Sequence, residues 1–154
     1  MRIEPLLAPE RVVVLTDASD RDDVLRGLAR IAATGLPERG EEELFEALLE
    51  REKRYPTSTP EGVAFPHAML DGVDATVLVA AAVRPAVDFR PGEHPAVDLA
   101  FAMIGSVAEP FQHVQLLARL ARVCRGSGAL DSFRAAKDAQ SLFEALVEED
   151  RAHG

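Results

Sequence analysis

Cysteine is nearly missing from this chain: Cys124 is the only one. No intrachain disulfide and no thiolate metal cluster can form, which suits a reducing compartment. Basic charge is also scarce. Seventeen Lys and Arg stand against 26 Asp and Glu, a formal net charge of −9. Sequence-independent nucleic-acid binding needs the opposite excess, so it is set aside. Long apolar runs are absent as well. The longest mostly apolar stretch, Ala75 to Val83, is far short of a bilayer span, so no direct membrane insertion is expected. The start, Met1-Arg-Ile-Glu-Pro5, lacks an apolar segment of secretory length. A soluble cytoplasmic protein is the expectation. No repeat and no low-complexity linker breaks the 154 residues, a length that suits a single domain spanning 1–154. With 47% hydrophobic and 28% charged residues, the composition excludes wholesale disorder.

The hydrophobic patterning alternates between two periods. Arg11 to Leu15 reads as a short β-branched strand, and Thr16-Asp-Ala-Ser19 supplies polar caps for a helix. Val24, Leu25, Leu28, Ala29 and Ile31 to Ala33 form that helix's apolar face, which Gly35, Pro37 and Gly40 end. Glu41 to Lys53 predicts a second helix, its leading glutamates placed where the helix dipole favours negative charge. Tyr55 to Glu61 reads as a loop, and Gly62 to Phe65 as a short apolar strand running into Pro66-His67.

Thr76 to Val83 has the continuous apolarity of a strand buried on both faces. Pro85 to Pro95 reads as a turn-rich connection, followed by a strand over Val97 to Ile104. Helical spacing resumes at Pro110, which suits a first turn because its missing N–H has no partner to lose there. Two shorter helices follow, near Ala129 to Ala136 and Gln140 to Glu149. Interleaved strands and helices indicate the α/β class, a mixed central sheet flanked by helices.

Four histidines are the candidates for chemistry. His153 lies in the terminal Arg-Ala-His-Gly segment, where fraying is expected. His94 sits in a loop composition, Pro91-Gly-Glu-His-Pro95, without a functional partner in sequence. His67 follows a proline that fixes its own φ and holds Phe65 extended, so its imidazole rests on a stiff support. Alone, this fits either a turn histidine or a nucleophile. His113 opens a helix on the face continued by Leu120 and Cys124. It fits either an edge-of-core histidine or a phosphate contact at a helix start.

Four ordered motifs join these residues. Arg51-Glu52 lies sixteen residues before His67, Gly62-Val-Ala-Phe-Pro-His-Ala68 contains it, Val97-Asp-Leu99 follows, and His113-Val-Gln-Leu-Leu-Ala-Arg-Leu-Ala-Arg122 closes the set. In that order they resemble the enzyme IIA domain of the bacterial phosphotransferase system, fructose–mannitol class, which includes the nitrogen-regulatory enzyme IIA proteins. The resemblance runs from about Leu15 to Val147. It implies that His67 accepts a phosphoryl group, that His113 is the second active-site histidine, and that Arg51 faces the phosphate. Glu61 matches a polar loop position with a lesser role, and Asp98 matches an acidic position of structural character.

The implied donor is an HPr-like phosphocarrier, and the implied acceptor a IIB component or a regulated protein. A nitrogen-regulatory role is favoured slightly over sugar transport. No cofactor and no metal is implied, and two histidines without a third suitably spaced ligand make a poor zinc set. One departure bears on partner choice and transfer rate. Pro56-Thr-Ser-Thr-Pro-Glu-Gly62 stands where relatives often carry a glycine-rich Ser-Thr-Gly-x-Gly-Asn-Gly stretch, and it is correspondingly stiffer. The alternative reading is a regulatory or protein-binding module that keeps the enzyme IIA fold without transferring phosphate.

Overall fold

The computed structural model describes residues 1–153. Two short 3-10 turns, Glu4–Leu6 and Pro9–Arg11, lead into strand β1 (Val12–Leu15). Helices α1 (Arg21–Ala33) and α2 (Glu41–Arg54) follow, then strands β2 (Val63–Ala64), β3 (His67–Leu70), β4 (Val77–Val87) and β5 (Val97–Ser106). Helices α3 (Pro110–Cys124), α4 (Ala129–Ala135) and α5 (Ala139–Ala152) complete the chain.

The sheet is mixed and runs β1-β4-β5-β2, with β3 also on β5. β4 and β5 are antiparallel, while β1 joins β4 and both β2 and β3 join β5 in parallel. Successive side chains of a strand point to opposite faces, and the two buried clusters obey that rule. Val77, Val79, Ala81 and Val83 of β4 pack with α1 and α2. Leu78, Ala80 and Ala82 pack with α3, α4 and α5. The result is three layers, a sheet buried on both faces between two helical sides, as the unbroken apolar run in β4 requires.

Three local expectations are corrected. The cap of α1 is Asp20, whose side chain accepts from Asp23 N at 2.8 Å, rather than the Thr16–Ser19 segment. The connection expected from Pro85 begins later, because β4 continues through Pro85 to Val87 and pairs there with Val97. The ladder shifts register between Ala82 and Val87, so the proline sits where pairing is already irregular.

The third correction concerns the strand carrying His67. It does not end at the proline; it pauses there. Val63 pairs with Leu99 and His67 with Met103, so β2 and β3 keep one register on β5 across Phe65-Pro66. Pro66 has no N–H to give the ladder, but its carbonyl still accepts from Met103 N at 3.0 Å. His67 therefore opens β3 rather than terminating a strand.

Candidate functional site

His67 stands on the edge strand β3, whose next residue, Ala68, faces the α1–α2 side. Alternation turns the imidazole to the opposite side, where α3 packs. Pro110 occupies the first turn of α3, and His113 follows one turn in, with its backbone N bonded to Glu109 O at 3.3 Å. The two rings meet with centroids 5.1 Å apart, tilted by 54°. Forty-six residues of sequence separation close into one contact.

The two imidazoles differ in their bonding. His67 Nδ1 lies 2.7 Å from the carbonyl oxygen of Phe65. A carbonyl only accepts, so Nδ1 carries the proton and Nε2 has the free lone pair. His113 is 4% exposed, and neither of its ring nitrogens has a hydrogen-bond partner among the described residues. Burial, then the neighbouring His67 and Arg51, push the His113 pKa down to about 4. Burial lowers that of His67 too, with Arg51 adding to the effect while the Phe65 carbonyl opposes it. Both rings are neutral near pH 7.

Arg51 lies in the last turn of α2, close enough for its charge to act on both rings, yet it makes no hydrogen bond to either. Its Nη1 donates to Tyr55 O at 2.7 Å, and its guanidinium lies 5.4 Å from the Tyr55 ring centroid. Glu61 is not brought to the pair. Its carbonyl accepts from Arg134, and it lines a cavity of about 130 Å³ beside Phe65, Cys124 and Arg125. Asp98 forms an ion pair with Arg134 at 2.8 Å, a structural tie between β5 and α4.

Several contacts of the site escaped the sequence reading, although Arg51-Glu52 stood in a motif. Glu52, 1% exposed, accepts from Thr57 N and from Thr57 Oγ1, each at 2.7 Å. Thr57 Oγ1 in turn accepts from Phe65 N at 3.1 Å. Gly105 lies against His113: a Cβ there would sit 2.6 Å from His113 Nδ1, closer than real contacts allow. Only a glycine lets this imidazole rest on β5.

His94, expected to be idle, donates from Nδ1 to Ser58 O at 2.9 Å. Arg90 donates to the same carbonyl at 2.7 Å and to Ser58 Oγ at 3.0 Å. These bonds hold the proline-containing loop in place of the missing glycines' local turns. The only sequence signal for such ties was the polar composition of both loops.

Exposed apolar residues neighbour the site residues along the chain. Tyr55, Met69, Val107, Phe111 and Val114 are all exposed, at 43% to 73%; Met69 lies on β3, Phe111 and Val114 on α3, and Tyr55 and Val107 directly follow α2 and β5. A groove of about 340 Å³ lined by Arg51, Arg54, Met69 and Val107 adjoins them.

Comparison with known proteins finds the family described as phosphoenolpyruvate-dependent sugar phosphotransferase system, EIIA 2, matching residues 5–149. A nitrogen regulatory protein of Bradyrhizobium diazoefficiens is 33% identical over 149 residues, covering 96% of this chain and 95% of that protein. Among solved structures, the nitrogen regulatory protein IIA-Ntr from Neisseria meningitidis superposes with a TM-score of 0.84 at 21% identity, covering 94% of this chain and 98% of that one. Enzyme IIAMTL in complex with phosphorylated enzyme IIBMTL from Escherichia coli gives 0.74 at 20% identity, covering 92% and 97%.

Proposed function

Since the chain belongs to the EIIA 2 family of the phosphoenolpyruvate-dependent sugar phosphotransferase system and is a phosphoryl carrier of that kind, we propose that Nε2 of His67 is the atom that carries the phosphoryl group. The single observation behind this reading is the 2.7 Å contact of Nδ1 with the Phe65 carbonyl. It leaves Nε2 unprotonated on a neutral ring, which is the form that attacks phosphorus.

The donor is the phosphohistidine of an HPr-like carrier. The Nε2 lone pair forms the new N–P bond, and the donor's P–N bond breaks with its electron pair going to the leaving ring. That ring takes one proton from solvent, and His67 keeps its own on Nδ1. Protonation at Nδ1 makes the His67 ring a good leaving group when the N–P bond breaks in onward transfer, and the Phe65 carbonyl accepts that N–H.

The transition state is loose, with charge spread over three equatorial oxygens, so fixed donors matter most. His113 carries one N–H without a partner in its buried pocket. A phosphoryl oxygen arriving at the neighbouring ring supplies an acceptor for it. Arg51 turns its planar fork from Tyr55 O toward the same oxygens. Glu61 has a minor part, at the loop rather than at phosphorus.

Partners are proteins. The exposed apolar residues on and beside the site's elements are the side chains that a docking surface for them would use. The acceptor is a regulated protein, or a IIB component as in the mannitol complex. The match to a nitrogen regulatory protein over nearly the whole chain favours the regulatory role. Among the described residues no helix is long and apolar enough to cross a membrane, and the carrier works with its donor in the cytoplasm.

Incubating the protein with the donor cascade tests this directly. Acid-labile label is expected on the native chain, with none on His67→Ala. Label retained by His67→Ala refutes the assignment. No label on correctly folded native protein favours a binding module that has kept the fold.

A further inference from the structure

We propose that Glu52 is a positioning residue for this transfer: acting through Thr57 and Phe65, it holds His67 in the tautomer whose Nε2 is free to attack. The inference rests on the phosphohistidine reading above and names a residue that touches neither phosphorus nor the reacting ring.

The chain of bonds has a fixed polarity. Both carboxylate oxygens of Glu52 accept from Thr57, one from its backbone N–H and one from its hydroxyl, at 2.7 Å each. The Thr57 hydroxyl proton is thereby committed to Glu52, so its oxygen is available only as an acceptor. It takes the Phe65 N–H at 3.1 Å. Pro66, next in the chain, is anchored through its carbonyl to Met103 N. Phe65 is thus held on one side by Thr57 and on the other through the pinned Pro66, and its carbonyl faces His67 Nδ1 at 2.7 Å.

Glu52 is 1% exposed, so this carboxylate is part of the interior and not a surface charge. It sits beside Arg51 on α2, and one helix end therefore supplies both a cation toward the rings and the anchor for the His67 support.

A Glu52→Gln change places an amide N–H₂ against a hydroxyl or an N–H that both need acceptors. Thr57 then has to turn its hydroxyl away from residue 52, which strips the proton of its acceptor and leaves the Phe65 N–H bonded to an oxygen no longer fixed in place. Thr57→Val removes the hydroxyl at nearly constant volume, whereas Thr57→Ser keeps it.

The test uses nitrogen NMR of His67 in the unphosphorylated full chain, followed by the rate of label uptake from phosphorylated HPr-like donor. In the native protein and in Thr57→Ser, Nδ1 is expected to be protonated and Nε2 not. In Glu52→Gln and Thr57→Val the two tautomers are expected to mix, with uptake slower by about tenfold or more, the scale seen when a supporting shell is removed. Native-like tautomer in both variants overturns the proposal, whether uptake is slowed or not. Failure of the native protein to take label overturns the parent reading instead, and the tautomer measurement still stands apart from it.

Discussion

At the scale of single residues, the site is two neutral imidazoles that burial keeps from charging. His113 is the clearer case, with a pKa near 4 in the folded chain against 6.5 for a free histidine. A group that binds its proton less readily when folded makes the unfolded state the better proton acceptor between those values. Stability therefore falls as pH drops from about 6.5 to about 4 and levels off below. The difference corresponds to on the order of 3 kcal/mol at full effect. Urea unfolding across that range is expected to show the decline in the native chain and a flatter profile in His113→Gln. The slope that persists belongs to His67, lowered in the same direction, and toward pH 4 to the depressed carboxylates Glu4, Asp138 and Asp150. An unchanged slope in His113→Gln contradicts the buried neutral ring.

These residues were only partly legible in sequence. His67, His113 and Arg51 stood in motifs whose order could be read, and the rings do meet. Gly105 could not be read that way, and Glu52 stood beside Arg51 in a motif but without a role that sequence could assign. One matters because a methyl group has no room, and the other because of a bond to a loop five residues on. Neither steric room nor hydrogen-bond direction leaves a periodic trace in a chain.

At the scale of elements, the periodic signals carried furthest. The amphipathic faces of α1, α2 and α3 and the unbroken apolar run of β4 were visible because burial repeats at fixed spacing. The interruption of β2 and β3 was not, since a proline usually ends a strand and here it only pauses one. The terminal helix also differs from expectation. His153, placed in a frayed end by its sequence, lies at the C-cap of α5, where its carbonyl accepts from Arg119 at 3.4 Å.

The reason for that order is a buried clasp. Asp150 is fully buried and accepts from Ile3 N, Glu4 N and Arg119, which ties α5 to α3 and to the first turn of the chain. Removing one member of a buried pair strands the other charge, at about 3–5 kcal/mol. Asp150→Ala is expected to lose stability of that size by chemical denaturation, with His67 still able to take label in the folded fraction. A loss below about 1 kcal/mol, the value of an exposed pair, contradicts a clasp of this importance.

At the scale of the whole molecule, function follows from two helical layers meeting at one edge of the sheet. α2 brings Arg51 and α3 brings His113 to an edge strand carrying His67, and the exposed apolar residues lie on α3 and β3 or directly after α2 and β5. Such residues serve encounter with another protein rather than the chemistry itself. Phe111→Ser is therefore expected to raise the KM for the phosphorylated donor several-fold while leaving kcat nearly unchanged, as loss of uniform binding does. A fall in kcat at constant KM would place Phe111 in the transfer step instead. The mixed α/β class was legible from the alternation of periods, whereas this surface was not, because exposure of single apolar residues is decided only once the helices are packed.

The most direct measurement is the site and regiochemistry of phosphorylation in the native chain, read by phosphorus–nitrogen coupling after incubation with the donor cascade. One phosphoryl group bonded to Nε2 of His67, with Nδ1 still protonated, is the expected result. A phosphoryl group on Nδ1, or on any residue other than His67, would contradict it.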